Sequence, residues 1–133
     1  MTTLDQAFVD SYALKTPPWG FGGLGEVVFL RTYSRVTEDG VLETWPETLQ
    51  RVINGADEIG VNYTKQEVEQ LFDHMFNLRC SFSGRALWQL GTPLVQKLDG
   101  ASLNNCYFVN IEALEDFEFL FDMLMLGGGV GFS

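Results

Sequence analysis

Positive charge is what this sequence has least of. Eight Lys and Arg stand against 18 Asp and Glu in 133 residues, a formal net charge of −10. So acidic a chain repels phosphate backbones, and with no basic stripe to offset the balance autonomous nucleic-acid binding is excluded. Cysteine is scarce too. Cys80 and Cys106 make neither a CxxC pair nor a disulfide framework. The single histidine, His74, has no carboxylate at ligand spacing, and no Glu-x-x-His di-metal pattern occurs, so no metal site is expected. Long apolar runs are missing: residues 117–132 come nearest, but contain Glu118 and Asp122 and fall short of the ~20 residues of a membrane helix. The opening Met-Thr-Thr-Leu-Asp-Gln has no basic stretch, so no secretory signal is expected. Both thiols are then expected reduced, in the cytoplasm, with no membrane partner.

What is present is apolar material for one small core. Hydrophobic residues make up 46% and aromatics 14%, too much Phe and Trp for a disordered acidic tail. Leu4, Phe8, Val9 and Tyr12 share one face of a helix expected over residues 2–14, and the Pro- and Gly-rich residues 15–25 break it. Residues 26–34 fit a strand or a helix equally well. Thr44-Trp45-Pro46-Glu47 and Thr64-Lys65-Gln66-Glu67 are capping boxes. Behind them, Trp45, Leu49, Val52, Ile53 and Ala56, then Val68, Leu71, Phe72, Met75 and Phe76, follow the helical period. Two antiparallel helices with a short turn near Gly60 are expected.

Beyond Arg79 the pattern changes. Ser83-Gly84-Arg85 and Gly91-Thr92-Pro93 bracket a short apolar piece. Residues 104–111 alternate as a strand does, residues 111–126 form a very apolar helix, and Gly127-Gly128-Gly129 ends it. The following Val-Gly-Phe-Ser reads as a second strand, so the chain is expected to stop inside a strand–helix–strand unit whose helix needs cover on more than one side.

Four collinear segments resemble the catalytic chain of ribonucleotide reductase. They are Gly23-Leu24-Gly25-Glu26-Val27-Val28-Phe29-Leu30-Arg31-Thr32-Tyr33-Ser34-Arg35; Glu43-Thr44-Trp45-Pro46-Glu47-Thr48; Asn77-Leu78-Arg79 with Ser83-Gly84-Arg85-Ala86-Leu87-Trp88 and Gly91-Thr92; and Ser102-Leu103-Asn104-Asn105-Cys106-Tyr107-Phe108 with residues 127–133. The Arg-Thr-Tyr-Ser-Arg and Glu-Thr-Trp runs look most like the monomeric, adenosylcobalamin-dependent (class II) ribonucleoside-triphosphate reductases. The resemblance implies an α+β fragment. Residues 1–80 would be a mainly helical N-terminal region, and residues 81–133 the first strand and helix of a ten-stranded α/β barrel, incomplete alone. It further implies a split or intein-interrupted reductase, inactive without a downstream C-terminal fragment that bears the radical cysteine and most of the adenosylcobalamin contacts. Ribonucleoside tri- or diphosphates would be the substrates and a thioredoxin-like protein the reductant.

The same resemblance assigns roles. Cys106 would be one thiol of the pair that reduces the ribose 2′-carbon; the alternative for such a residue is a small buried hydrophobe. Gly128 and Gly129 would let the nucleoside approach the backbone, although a helix C-cap explains one glycine of the three. Ser83 and Asn105 would hydrogen-bond substrate phosphate or ribose; Ser83 also suits a turn cap. Cys80 has no matching role and is expected to be a packed thiol. Arg31 and Arg35 are expected in ion pairs rather than on phosphate. Two rival readings share these local features: a non-catalytic binding module that keeps the reductase helices, and a piece of the diiron-dependent (class I) large chain.

Overall fold

The structure, a computed structural model, describes residues 4–98 and 100–133. The chain divides into two compact units, one reaching to Gly91 and the other running from Thr92 to Ser133.

The first unit is helical. Helix α1 is Gln6–Asp10, capped by the Asp5 carboxylate, which accepts from the Ala7 N–H at 3.1 Å. It is shorter than the sequence implies, and Thr2 and Thr3 of that expectation lie outside the described residues. Leu4, Val9 and Tyr12 are nevertheless buried. Of residues 26–34, open between strand and helix, 26–32 belong to helix α2, Leu24–Thr32, which starts after a tight turn at Gly22 and Gly23, both with positive φ. Val36 and Leu42 then form an isolated antiparallel bridge that the sequence did not announce.

Helices α3, Trp45–Glu58, and α4, Lys65–Phe76, begin where the capping boxes put them. The Glu47 carboxylate accepts from the Thr44 N–H and hydroxyl, both at 2.7 Å, and Glu67 does the same for Thr64 at 2.8 Å. Those bonds hold the exposed Glu67 carboxyl below its ordinary range. Leu49, Val52, Ile53, Val68, Phe72 and Met75 are essentially inaccessible, and each contributes about 1.5–3 kcal/mol by leaving water. Two aromatic clusters extend this core. Tyr12 packs edge-on against Phe72 and Phe76 at 5.0 and 4.8 Å, and Trp45 meets Phe29 at 5.1 Å beside a stacked Trp19.

Helix α5, Gly84–Gln89, completes the unit against α3. The approach is backbone to backbone: a Cβ on Gly55 of α3 would lie 2.1 Å from the Gly91 nitrogen. One ion pair locks this corner. Arg51 donates from Nε to Glu43 Oε1 at 2.7 Å and from Nη2 to Oε2 at 3.0 Å, and its remaining donors reach the carbonyls of Leu90 at 2.6 Å and Leu87 at 3.2 Å. Among the described residues Arg35 makes no ion pair, against expectation. Its guanidinium donates to the Trp88 carbonyl at 2.9 and 2.7 Å and lies over the Trp88 ring. One carbonyl oxygen at the end of α5 accepts both arms of the planar fork.

The second unit holds helix α6, Pro93–Lys97, strand β1, Cys106–Val109, helix α7, Leu114–Met125, and strand β2, Gly129–Phe132. β1 and β2 pair in parallel, with Cys106 opposite Gly129 and Phe108 opposite Gly131. This is the anticipated strand–helix–strand, with ends trimmed by one to three residues. At the start of α7 the Asp116 carboxylate accepts from the Glu112 and Ala113 N–H groups, both at 2.8 Å, which lowers its pKa. Leu120 is the α7 side chain that is buried, while Leu114, Phe117, Phe119, Phe121, Leu124 and Met125 are exposed. The α+β class is as expected. Among the described residues, no helix is long and apolar enough to cross a membrane.

Candidate functional site

Four of the five residues singled out for chemistry fall in the second unit, at one end of its two-stranded sheet. β1 opens on Cys106, whose thiol is free and exposed rather than packed. Its partner across the sheet is Gly129, and paired residues of neighbouring strands present their side chains to the same face. Gly129 is fastened there by its own N–H, which donates to the Asn105 carbonyl at 2.7 Å. Asn105 thus acts through its backbone within the chain, and its side chain is exposed.

The three glycines have three different surroundings. Gly127 has φ +82° and follows the Leu126 C-cap of α7; its N–H reaches the Leu124 carbonyl at 2.9 Å, and that of Gly128 reaches Met123 at 3.0 Å. That pair of bonds is a Schellman closure, which favours glycine at the left-handed position. Gly128 is buried, and a Cβ there would lie 2.6 Å from Tyr107 Cε2 and 2.8 Å from Cδ2. Gly129 is exposed, and a Cβ there would meet nothing nearer than the Asn105 carbonyl oxygen at 3.7 Å.

Ser83 belongs to the first unit. It is the N-cap of α5, where its hydroxyl accepts from the Ala86 N–H at 3.3 Å. Cys80, expected to be packed, is exposed: it lies in the connection after α4, past the positive φ of Leu78 that takes the chain off the helix and out of the core. Both cysteines are free, and His74 is exposed on α4 as expected.

Sequence reasoning missed Glu43 and Arg51. Eight residues apart, they carry no local signature. The available hint was an arginine on the α3 face that otherwise carries apolar residues. Tyr107 was missed as well. It was read only as one member of an alternating strand, yet its ring fills the space under Gly128 and its hydroxyl donates to the Ala101 carbonyl at 2.6 Å.

An exposed thiol heads a parallel strand–helix–strand, beside a glycine with open space above it, and this arrangement makes the second unit one of the α/β class. The ribonucleotide reductase alpha domain family model matches residues 4–92, and the chain belongs to that family. Among curated relatives, the adenosylcobalamin-dependent ribonucleoside-triphosphate reductase of Euglena gracilis is 41% identical over 98% of this chain and 20% of its own length. The Lactobacillus acidophilus enzyme of the same name is 38% identical over 98% of this chain and 22% of its own. A crystal structure of a B-12 dependent (class II) ribonucleotide reductase superposes with a TM-score of 0.81 at 34% identity, covering 99% of this chain and 23% of that one. The chain therefore spans about a fifth of the length of the relatives it matches.

The relatives' names carry adenosylcobalamin. The cleft beside α1 and α4 is about 450 Å³ and is lined by Phe8, Tyr12 and the polar side chains of α4. Among the described residues, no three His, Cys, Asp or Glu side chains are placed to hold a metal ion.

Proposed function

We propose that this chain is the N-terminal part of a class II ribonucleotide reductase and supplies Cys106 as one thiol of the pair that reduces the substrate. The observation that carries the reading is the position of Cys106: exposed, first in β1, and in register with a glycine that leaves room beside it. In the reaction the C2′–O bond of a ribonucleoside tri- or diphosphate breaks, the oxygen leaves as water, and C2′ gains a hydrogen. Two thiols lose two electrons and two protons in total and join as a disulfide. Cys106 is one of them. Its partner belongs to the remainder of the protein and has to come within ~5.5–6 Å, Cα to Cα, for the bond to close.

In this reading residues 1–80 form the helical N-terminal region and residues 81–133 begin the barrel. The Gly128–Gly129 turn forms part of the nucleoside wall, and the exposed Asn105 side chain contacts ribose or phosphate. Ser83 contributes a hydroxyl toward phosphate in addition to capping α5. The downstream part of the reductase carries the thiyl radical that takes the ribose 3′-hydrogen. Adenosylcobalamin, held by that part, supplies radical initiation when bound. A thioredoxin-like protein in the cytoplasm returns the disulfide to thiols. Alone, the chain turns nothing over.

The test is reconstitution of the complete reductase carrying this segment, with adenosylcobalamin and a dithiol, and assay for deoxynucleotide. Cys106→Ser is expected to abolish dithiol-supported turnover. Undiminished turnover in that variant discards the assignment.

A further inference from the structure

We infer that Tyr107 is a positioning residue for this site: its ring, lodged under Gly128, sets the height of the α7–β2 turn and thereby brings Gly129 level with Cys106. The inference rests on the proposed reductase reading for its functional half, and on packing for its structural half.

Each of the three glycines is a glycine for a different reason. Gly127 is accounted for by its left-handed φ. Gly128 is accounted for by Tyr107 alone among side chains, because a Cβ at 128 would stand 2.6 Å from the ring, inside any real contact distance. Gly129 is accounted for by nothing among the described residues. It has no positive φ, and a Cβ there would make an ordinary contact at 3.7 Å. Its missing side chain serves something outside the chain, on the face it shares with Cys106.

Tyr107 is the side chain that joins these parts. It follows Cys106 directly on β1, so it points to the opposite face of the sheet and cannot touch what Cys106 touches. On that face its hydroxyl is tied to the Ala101 carbonyl at 2.6 Å, and the ring meets Phe119 of α7 edge-on at 6.3 Å. The ring is therefore held from the turn before β1 and from α7 at once. A ring fixed in this way gives Gly128 one seat. With Gly128 seated, the next N–H lands on the Asn105 carbonyl, and Cys106 and Gly129 become neighbours.

The experiment uses the complete reductase carrying this segment. Tyr107→Phe keeps the ring and is expected to hold KM within about threefold of the parent, whereas Tyr107→Leu is expected to raise KM for the ribonucleotide about tenfold or more with a smaller change in kcat, the pattern of a lost ground-state wall. Gly128→Ala is expected to lower the melting temperature in the parent and to cost much less in the Tyr107→Leu background, because the two sites share one volume. Gly129→Ala is expected to leave the melting temperature unchanged while raising KM. Equal cost of Gly128→Ala in both backgrounds overturns the packing half, and an unchanged KM in Tyr107→Leu overturns the positioning half. A parent that makes no deoxynucleotide refutes the reductase reading itself, a failure seen before any variant is made.

Discussion

The two units handle apolar surface in opposite ways. The helical unit closes on itself: α3 and α4 bury their apolar faces against each other, and Val9 of α1, Phe29 of α2 and Leu87 of α5 cover the remainder, with Tyr12 just beyond α1. Beyond Gly91 the described core shrinks to Val95 and Leu120, while Phe121 is 59% exposed and Met125 85%. Helix α7 keeps most of its large apolar side chains in water. The contrast teaches where each unit's specification comes from. The first is fixed by its own side chains. The second is fixed locally, by a Schellman turn, a tyrosine ring and four strand pairs.

Point changes can break or sharpen that contrast. The largest effect is expected from Phe72→Ala, which should cost about 3–5 kcal/mol in urea unfolding, against within about 0.5 kcal/mol for Phe121→Ser on α7. Equal costs would erase the distinction between the units. Next comes Arg51→Met, expected to cost about 3 kcal/mol by leaving Glu43 largely buried without its cation and the Leu87 and Leu90 carbonyls without donors. A neutral result would show that the corner is held by packing alone.

Gly55→Ala reverses a rule. In an exposed helix the change gains up to about 1 kcal/mol, but here the new methyl would press on the Gly91 backbone, so a net loss is expected in the same assay. The smallest effect is a pH dependence. Burial, then the hydrogen bond and charge of Asp73, push the Tyr12 hydroxyl from 10.0 up to about 12. A raised pKa means that the folded state keeps a proton the unfolded state gives up. That stability is complete below pH 10 and is lost as pH rises from there through about 12. Tyr12→Phe should flatten this alkaline limb of the unfolding curve.

The helical unit was largely legible in the sequence because its signals are local. Two capping boxes and two apolar stripes placed α3 and α4, and of the residues expected inside all but the half-buried Leu71 are buried. Residues 26–34 were not settled by pattern, since a short run of Val, Phe and Leu suits either period. The Glu43–Arg51 pair and the Gly55–Gly91 contact were invisible for a different reason: both depend on where α5 packs, which no local spacing encodes. In the second unit the parallel strand–helix–strand could be read from alternation, helical period and glycines. Which glycine answers to which cause could not, because the deciding atoms belong to Tyr107, far from residue 128 in sequence and adjacent to it across the sheet.

In the proposed reaction the Cys106 sulfur gives up electrons to the substrate. That step is tested most directly by one round of reaction in the complete, prereduced reductase without added dithiol, followed by alkylation and mass spectrometry. The expected result is a deoxynucleotide for each Cys106 recovered in a disulfide. Deoxynucleotide formed while Cys106 is recovered as a free, alkylated thiol would contradict it.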